Sequence, residues 1–293
     1  MIYDVRHLTT YKYAKPATFA RCALRLALAR DKDQTVRDET LMVTPTPSRL
    51  TRHTGVFGEA VATALVETPH REMAVFATAR VDVHRVAPTQ PLAGPPWEEV
   101  RATAFASDTL AIGAPAHMLY PTAMTPIHAA ITAYAAASFT PARPILEAAF
   151  DLSRRIRGEF HYDPEATDVS TPAIDAFTAR HGVCQDFAHI MIAGLRGLGL
   201  PAAYVSGFIR TIPPPGKPRL EGADGTHAWV SLWCGPDHGW VGFDPTNALV
   251  VANDHIVLGV GRDYADIAPI GGVIVGPGKQ KIDVAVDVVP VDD

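Results

Sequence analysis

The chain has 293 residues, 47% of them hydrophobic and 19% charged, a balance that excludes a disordered polymer and supports a buried core. A net charge of −5 without any basic block argues against a nucleic-acid surface. The length suggests about two domains, and no apolar run approaches the roughly 18 residues that cross a bilayer.

The N-terminal stretch MIYDVRHLTTYKY is charged early and alternates like a strand; it lacks the apolar centre of a secretory signal. The three cysteines, Cys22, Cys184 and Cys234, form neither a disulfide framework nor a CxxC knuckle. Together these features lead us to expect a soluble cytoplasmic protein in a reducing compartment, without a membrane partner. In RCALRLAL, Cys22, Leu24, Leu26 and Leu28 alternate with Arg21, Ala23, Arg25 and Ala27, the period of a strand with one buried face. ETLMVTPTP and MAVFATARVDVHRV continue the pattern, so residues 1–90 are predicted to form an antiparallel β-sandwich-like domain.

Residues 86–99 are rich in Pro and Gly, and 91–140 read as a linker followed by a helical segment. Ile145, Ala149, Leu152 and Ile156 then form one apolar helical stripe, with Gly158 as a stop. Phe187, Ile190, Met191, Gly194, Leu195 and Leu198 form another, ended by Gly199 and Pro201. AAYVSGFIR, THAWVSLW and GWVGFDPT read as strands, and the tail IDVAVDVVPV alternates again; all of 141–293 is assigned to a second, α+β domain.

Cys184 falls at the N-terminus of the second helix, where unpaired N–H groups and the helix dipole favour a thiolate. Alone it fits a packed thiol, a metal ligand or a nucleophile. His227 opens THAWVSLW and Asp244 closes GWVGFDPT. If these strands form a hairpin around 234–239, His227 lies across from residues 244–246, and opposed Cβ atoms are then about 4.5–5.5 Å apart. Each residue alone also reads as structural, a strand-end histidine or an Asp–Pro turn. A zinc set of Cys184, His189 and His227 does not match a common ligand spacing. His181, His238 and His255 are expected to be solvated. Trp229 and Gln185, close to His227 and Cys184 in the chain, are the candidate substrate-binding residues, and the 211–225 loop just before His227 is a candidate flank of the site.

GVCQDFAH, THAWVSLW and GWVGFDPTN, in that order, resemble the motifs of the bacterial transglutaminase-like family. The likeness extends upstream through FHYDPEATDVSTPAIDAFTARH and downstream through VGRDYADIAPIGGV, and the first eighty-odd residues resemble the β-rich region that accompanies this core. The resemblance implies a papain-like core, its nucleophile helix packed on an antiparallel sheet. It also implies Cys184 as nucleophile, His227 as general base and acid, and Asp244 as the group that orients His227. Ser231 stands where many members carry an acid. The expected activity is cysteine-dependent hydrolysis of a peptide or isopeptide bond through a thioester, without metal or cofactor. Transfer to an amine, acetyl transfer from a thioester cofactor and a non-catalytic peptide-binding module are the alternatives.

Overall fold

The computed structural model describes residues 1–89, 92–211, 222, 224–276 and 278–291. The first strands are β1 (Ile2–Ala17), β2 (Phe19–Leu24), β3 (Gln34–Thr44), β4 (Arg49–Thr54), β5 (Ala60–Val66) and β6 (His70–Val83). They divide between two antiparallel sheets that face each other over Tyr11, Tyr13, Cys22, Leu24, Leu26, Val66, Met73 and Val75. Alternation drives this arrangement: every second residue of β1 from Tyr3 to Tyr13 points inward. Cys22 is one of these core residues, as its period of two predicts.

The helices are α1 (Trp97–Phe105), α2 (Ala129–Ala136), α3 (Ile145–Glu159), α4 (Ala173–Ala179), α5 (Cys184–Gly197) and α6 (Tyr264–Ile267). Two-residue strands β7 (His161–Tyr162) and β8 (His181–Gly182) pair in parallel just before α5. The remaining strands are β9 (Ala202–Ile209), β10 (Thr226–Trp233), β11 (Trp240–Asp244), β12 (Leu249–Val250), β13 (His255–Gly261), β14 (Ile270–Val275) and β15 (Gln280–Pro290). Strands β9 to β13 form one antiparallel sheet in the order β12-β11-β10-β9-β13. Ala228, Val230 and Leu232 of β10 share a core with Phe187, Met191 and Leu195 of α5. No described helix is long and apolar enough to cross a membrane.

The α3 stripe is buried as its spacing predicts. α5 is buried nearly all round, because α2, α3 and α4 cover the side away from the sheet. The 91–140 segment is therefore more than a linker: Leu92, Val100, Ile131, Ala135 and Phe139 belong to the α5 core. The close approach of α2 is made at Gly194, where an added Cβ would lie 2.8 Å from the Ala135 methyl.

The tail departs from its expected assignment. β14 pairs with β2 and β15 pairs with β1, so both complete the N-terminal sandwich rather than the second domain. β1 offers β15 an open sheet edge and a matching face, on which Val286 and Val288 are buried beside Tyr3 and Val5. Phe208, Ile256 and Leu258 join that cluster and bind the two halves together.

Candidate active site

α5 starts at Cys184 because the chain before it is extended and because Asp186 caps it. Asp186 Oδ2 accepts a hydrogen bond from the Val183 N–H at 2.9 Å and from the Thr167 hydroxyl at 2.7 Å. Burial pushes the Asp186 carboxyl up, partly offset by those two donors. Cys184 is thereby fixed as the first helical residue, half-buried, with first-turn N–H groups that have no partner inside the helix. Cys22 and Cys234 are buried in cores, and the Cys234 thiol donates to the Leu232 carbonyl.

The β10–β11 register pairs Val230 with Phe243 and Trp233 with Trp240. Continued, it sets Asp244 opposite Trp229 and one diagonal step from His227, on the same face of the sheet. The His227 Nε2–H donates to Asp244 Oδ2 at 2.8 Å. With Nε2 engaged by Asp244, Nδ1 is the ring nitrogen left for another partner, and Cys184 is among the groups that favour the protonated ring. His227 and Asp244 thus meet in space, as the strand pairing led us to expect.

Asp244 is fully buried and densely bonded. Its Oδ1 accepts from the backbone N–H groups of Thr246 and Asn247 at 2.9 and 3.2 Å. Its Oδ2 accepts from His227, from Asn247 Nδ2 at 2.7 Å and from His255 Nε2 at 3.2 Å. The Ser153 hydroxyl of α3 donates to its carbonyl at 3.0 Å, which pins the strand end. Burial alone would raise the Asp244 carboxyl, but His227, His255 and Asn247 hold it well below the usual carboxylate range. Burial likewise disfavours the His227 imidazolium, yet its hydrogen bonds and charge interactions with Asp244 and Cys184 outweigh burial and hold its pKa up at about 10.

His255 corrects a sequence expectation. It is 2% exposed rather than solvated. β13 pairs with β9, setting His255 against Ile209, and β9 pairs with β10, so the ring is carried across the sheet to Asp244. This is a non-hairpin pairing that no local pattern announces. Asn247, also missed, follows Asp244 by three residues in the FDPTN turn and was open to detection as a turn donor.

The two candidate substrate-binding residues occupy supporting positions. Trp229 is 1% exposed, with its ring edge-on to His255 at 5.2 Å between centroids and 6.1 Å from the His227 ring. Gly207, opposite His227 on β9, leaves the space that the Trp229 ring fills. Gln185 Nε2 donates to the Val169 carbonyl at 3.1 Å and so ties the 163–172 loop to the start of α5. Most of the 211–225 loop, residues 212–221 and 223, lies outside the described residues. Ser231 sits mid-strand opposite Gly242, away from the cluster.

Among the described residues, His227, Asp244 and His255 are the one set whose ligand atoms, all within 4.8 Å of each other, could hold a metal ion. The hydrogen bonds above account for this arrangement without one. His189, weighed from the sequence as a zinc ligand, instead accepts from the Tyr264 N–H at 3.3 Å through Nε2 and packs on Tyr204.

A cysteine at a helix N-terminus, packed on an antiparallel sheet that carries a His–Asp pair, defines a transglutaminase-like fold. The chain belongs to the transglutaminase-like superfamily, which it matches over residues 132–245, and residues 3–82 match the bacterial transglutaminase-like N-terminal region. An uncharacterised protein of Mycobacterium tuberculosis is 38% identical to it, over 98% of this chain and 92% of that protein. A protein-glutamine gamma-glutamyltransferase of Pseudomonas aeruginosa is 35% identical over 114 residues, covering 36% of this chain and 17% of that protein. The crystal structure of a protein from Cytophaga hutchinsonii, described as a putative cysteine protease, has the same fold: TM-score 0.73 at 22% identity, covering 100% of this chain and 92% of that one.

Proposed function

We propose that this chain is a cysteine-dependent acyl-transfer enzyme that hydrolyses a peptide or isopeptide bond in a peptide or protein substrate. The observation that carries the reading is the buried His227–Asp244 pair at 2.8 Å, with Cys184 at the start of α5 as the thiol that this pair would serve. His227 takes the thiol proton, and Asp244 supports the imidazolium that forms. The Cys184 sulfur attacks the substrate carbonyl carbon, and first-turn N–H groups of α5, that of Cys184 among them, are the proposed donors to the developing oxyanion. The C–N bond breaks as His227 delivers its proton to the leaving amine, which leaves a thioester on Cys184. Water then attacks the thioester and gives a proton to His227. The C–S bond breaks, releasing a carboxylate product and restoring the thiol. Because the nucleophile is a reduced thiol, a reducing cytoplasmic setting suits this chemistry.

In a second reading a primary amine takes the acyl group in place of water. The likeness to a protein named as a gamma-glutamyltransferase favours this one. Both readings share the first half-reaction. Incubating wild type and Cys184→Ala with a panel of glutaminyl and isopeptide-linked peptides, with and without an added primary amine, separates them by product mass. A carboxylate product in the presence of amine supports hydrolysis, and an amine adduct supports transfer. Equal turnover by the Cys184→Ala variant refutes both.

A further inference from the structure

We propose that His255 is a positioning residue for this reaction, fixing the Asp244 carboxylate from across the sheet so that Oδ2 stays turned toward His227. The proposal rests on the reading of His227 as the base. Apart from the bond from His227 itself, the other bonds to the carboxylate come from nearby chain: Thr246 and Asn247 belong to the turn that follows Asp244. Such donors travel with the turn and do not tie it to the sheet. His255 approaches from β13, at the opposite end of the sheet order from β11 and β12, and reaches Oδ2 at 3.2 Å.

The His255 ring is itself held. Trp229 meets it edge-on at an interplanar angle of 76°, in space left by Gly207. Its Nδ1 is buried without a partner, so Nε2 carries the N–H and the bond to Asp244 is the one polar contact the ring makes among the described residues. Burying an imidazole for shape alone is unfavourable, since an apolar ring would fill the space without a stranded nitrogen. The single bond to Asp244 is what the histidine adds. The titratable groups that converge here are Cys184 from α5, His227 from β10, Asp244 from β11 and His255 from β13, and Asn247 is the neutral neighbour.

Three variants test the proposal: His255→Phe and His255→Leu remove the donor, and His255→Gln places an amide N–H near the position of Nε2. The readouts are the NMR titration of the His227 ring and the rate of Cys184 alkylation by iodoacetamide at neutral pH. Thermal unfolding is followed on the same samples. In the Phe and Leu variants the His227 titration is expected to fall by about one pH unit, and alkylation to slow about tenfold. The Gln variant is expected to recover to within about threefold of wild type. If Phe packs poorly, the smaller Leu variant carries the comparison. An unchanged or raised His227 titration in the folded donor-less variants overturns the proposal, as does a Gln variant as impaired as Phe. A wild-type His227 that titrates like a free imidazole, with Cys184 alkylated no faster than free cysteine, refutes instead the assignment of His227 as base.

Discussion

Asp244→Asn keeps the shape of the residue and removes its charge. In the wild type, Oδ2 receives three side-chain donors and Oδ1 two backbone donors. An amide has one oxygen to offer, so in either orientation one set of donors faces an NH2 group. Two effects follow. The His227 imidazolium loses a hydrogen bond to a charged acceptor, a bond worth about 1.5–3 kcal/mol, or roughly 10- to 150-fold in the population of the charged ring. The stranded buried donors cost about 1–3 kcal/mol each in stability, so the melting temperature also falls. Iodoacetamide labelling at pH 7, read by peptide mass spectrometry, reports the first effect. Cys22 and Cys234 are buried and serve as internal controls. Thermal unfolding reports the second. A folded Asp244→Asn variant whose Cys184 is labelled at the wild-type rate would refute the claim that Asp244 supports His227, and with it the path from thiol to carboxylate.

The folded-state pKa of His227 is raised from 6.5 to about 10, so the stability it contributes is present in full below pH 6.5 and is lost as the pH rises through 10. Relative to His227→Gln, the wild type should therefore lose its advantage in melting temperature between those limits, and a constant difference across that range would contradict the raised value. The depressed Asp244 carboxyl acts in the other direction: its contribution holds above the ordinary value of 3.8 and disappears as the pH falls through the folded value. Gly207→Ala places a methyl group against the Trp229 ring and the Ile256 carbonyl. Because the carbonyl is backbone, relief must come from strand displacement, and we expect a loss of at least about 1–3 kcal/mol in denaturant unfolding together with slower Cys184 labelling. Wild-type stability in that variant would show that Trp229 is free to move.

The candidate site was largely legible in the sequence because its decisive relations are local. A period of 3.6 over residues 187–198, ended by Gly199 and Pro201, set the helix that begins at Cys184. Two strands joined by a short Gly/Pro turn had a narrow range of registers, and the observed one brings His227 and Asp244 to one face. The supporting shell was less legible. The alternating pattern of HAWVSLW shows that Trp229 shares a face with His227 but not what covers that face, so a residue expected to bind substrate is buried against His255.

The same reasoning separates what the two levels decided for the whole chain. By itself, the sequence determined which faces are apolar, where helices and strands run, and that a thiol, an imidazole and a carboxylate sit at strand and helix ends. Only the tertiary structure decided which surfaces meet: β15 closing on β1, α2 covering α5, and His255 reaching Asp244 across the sheet. Periodicity encodes the direction in which a side chain points. The partner it meets depends on pairings between segments far apart in the chain, and those are selected by the fit of whole faces rather than by any one stretch.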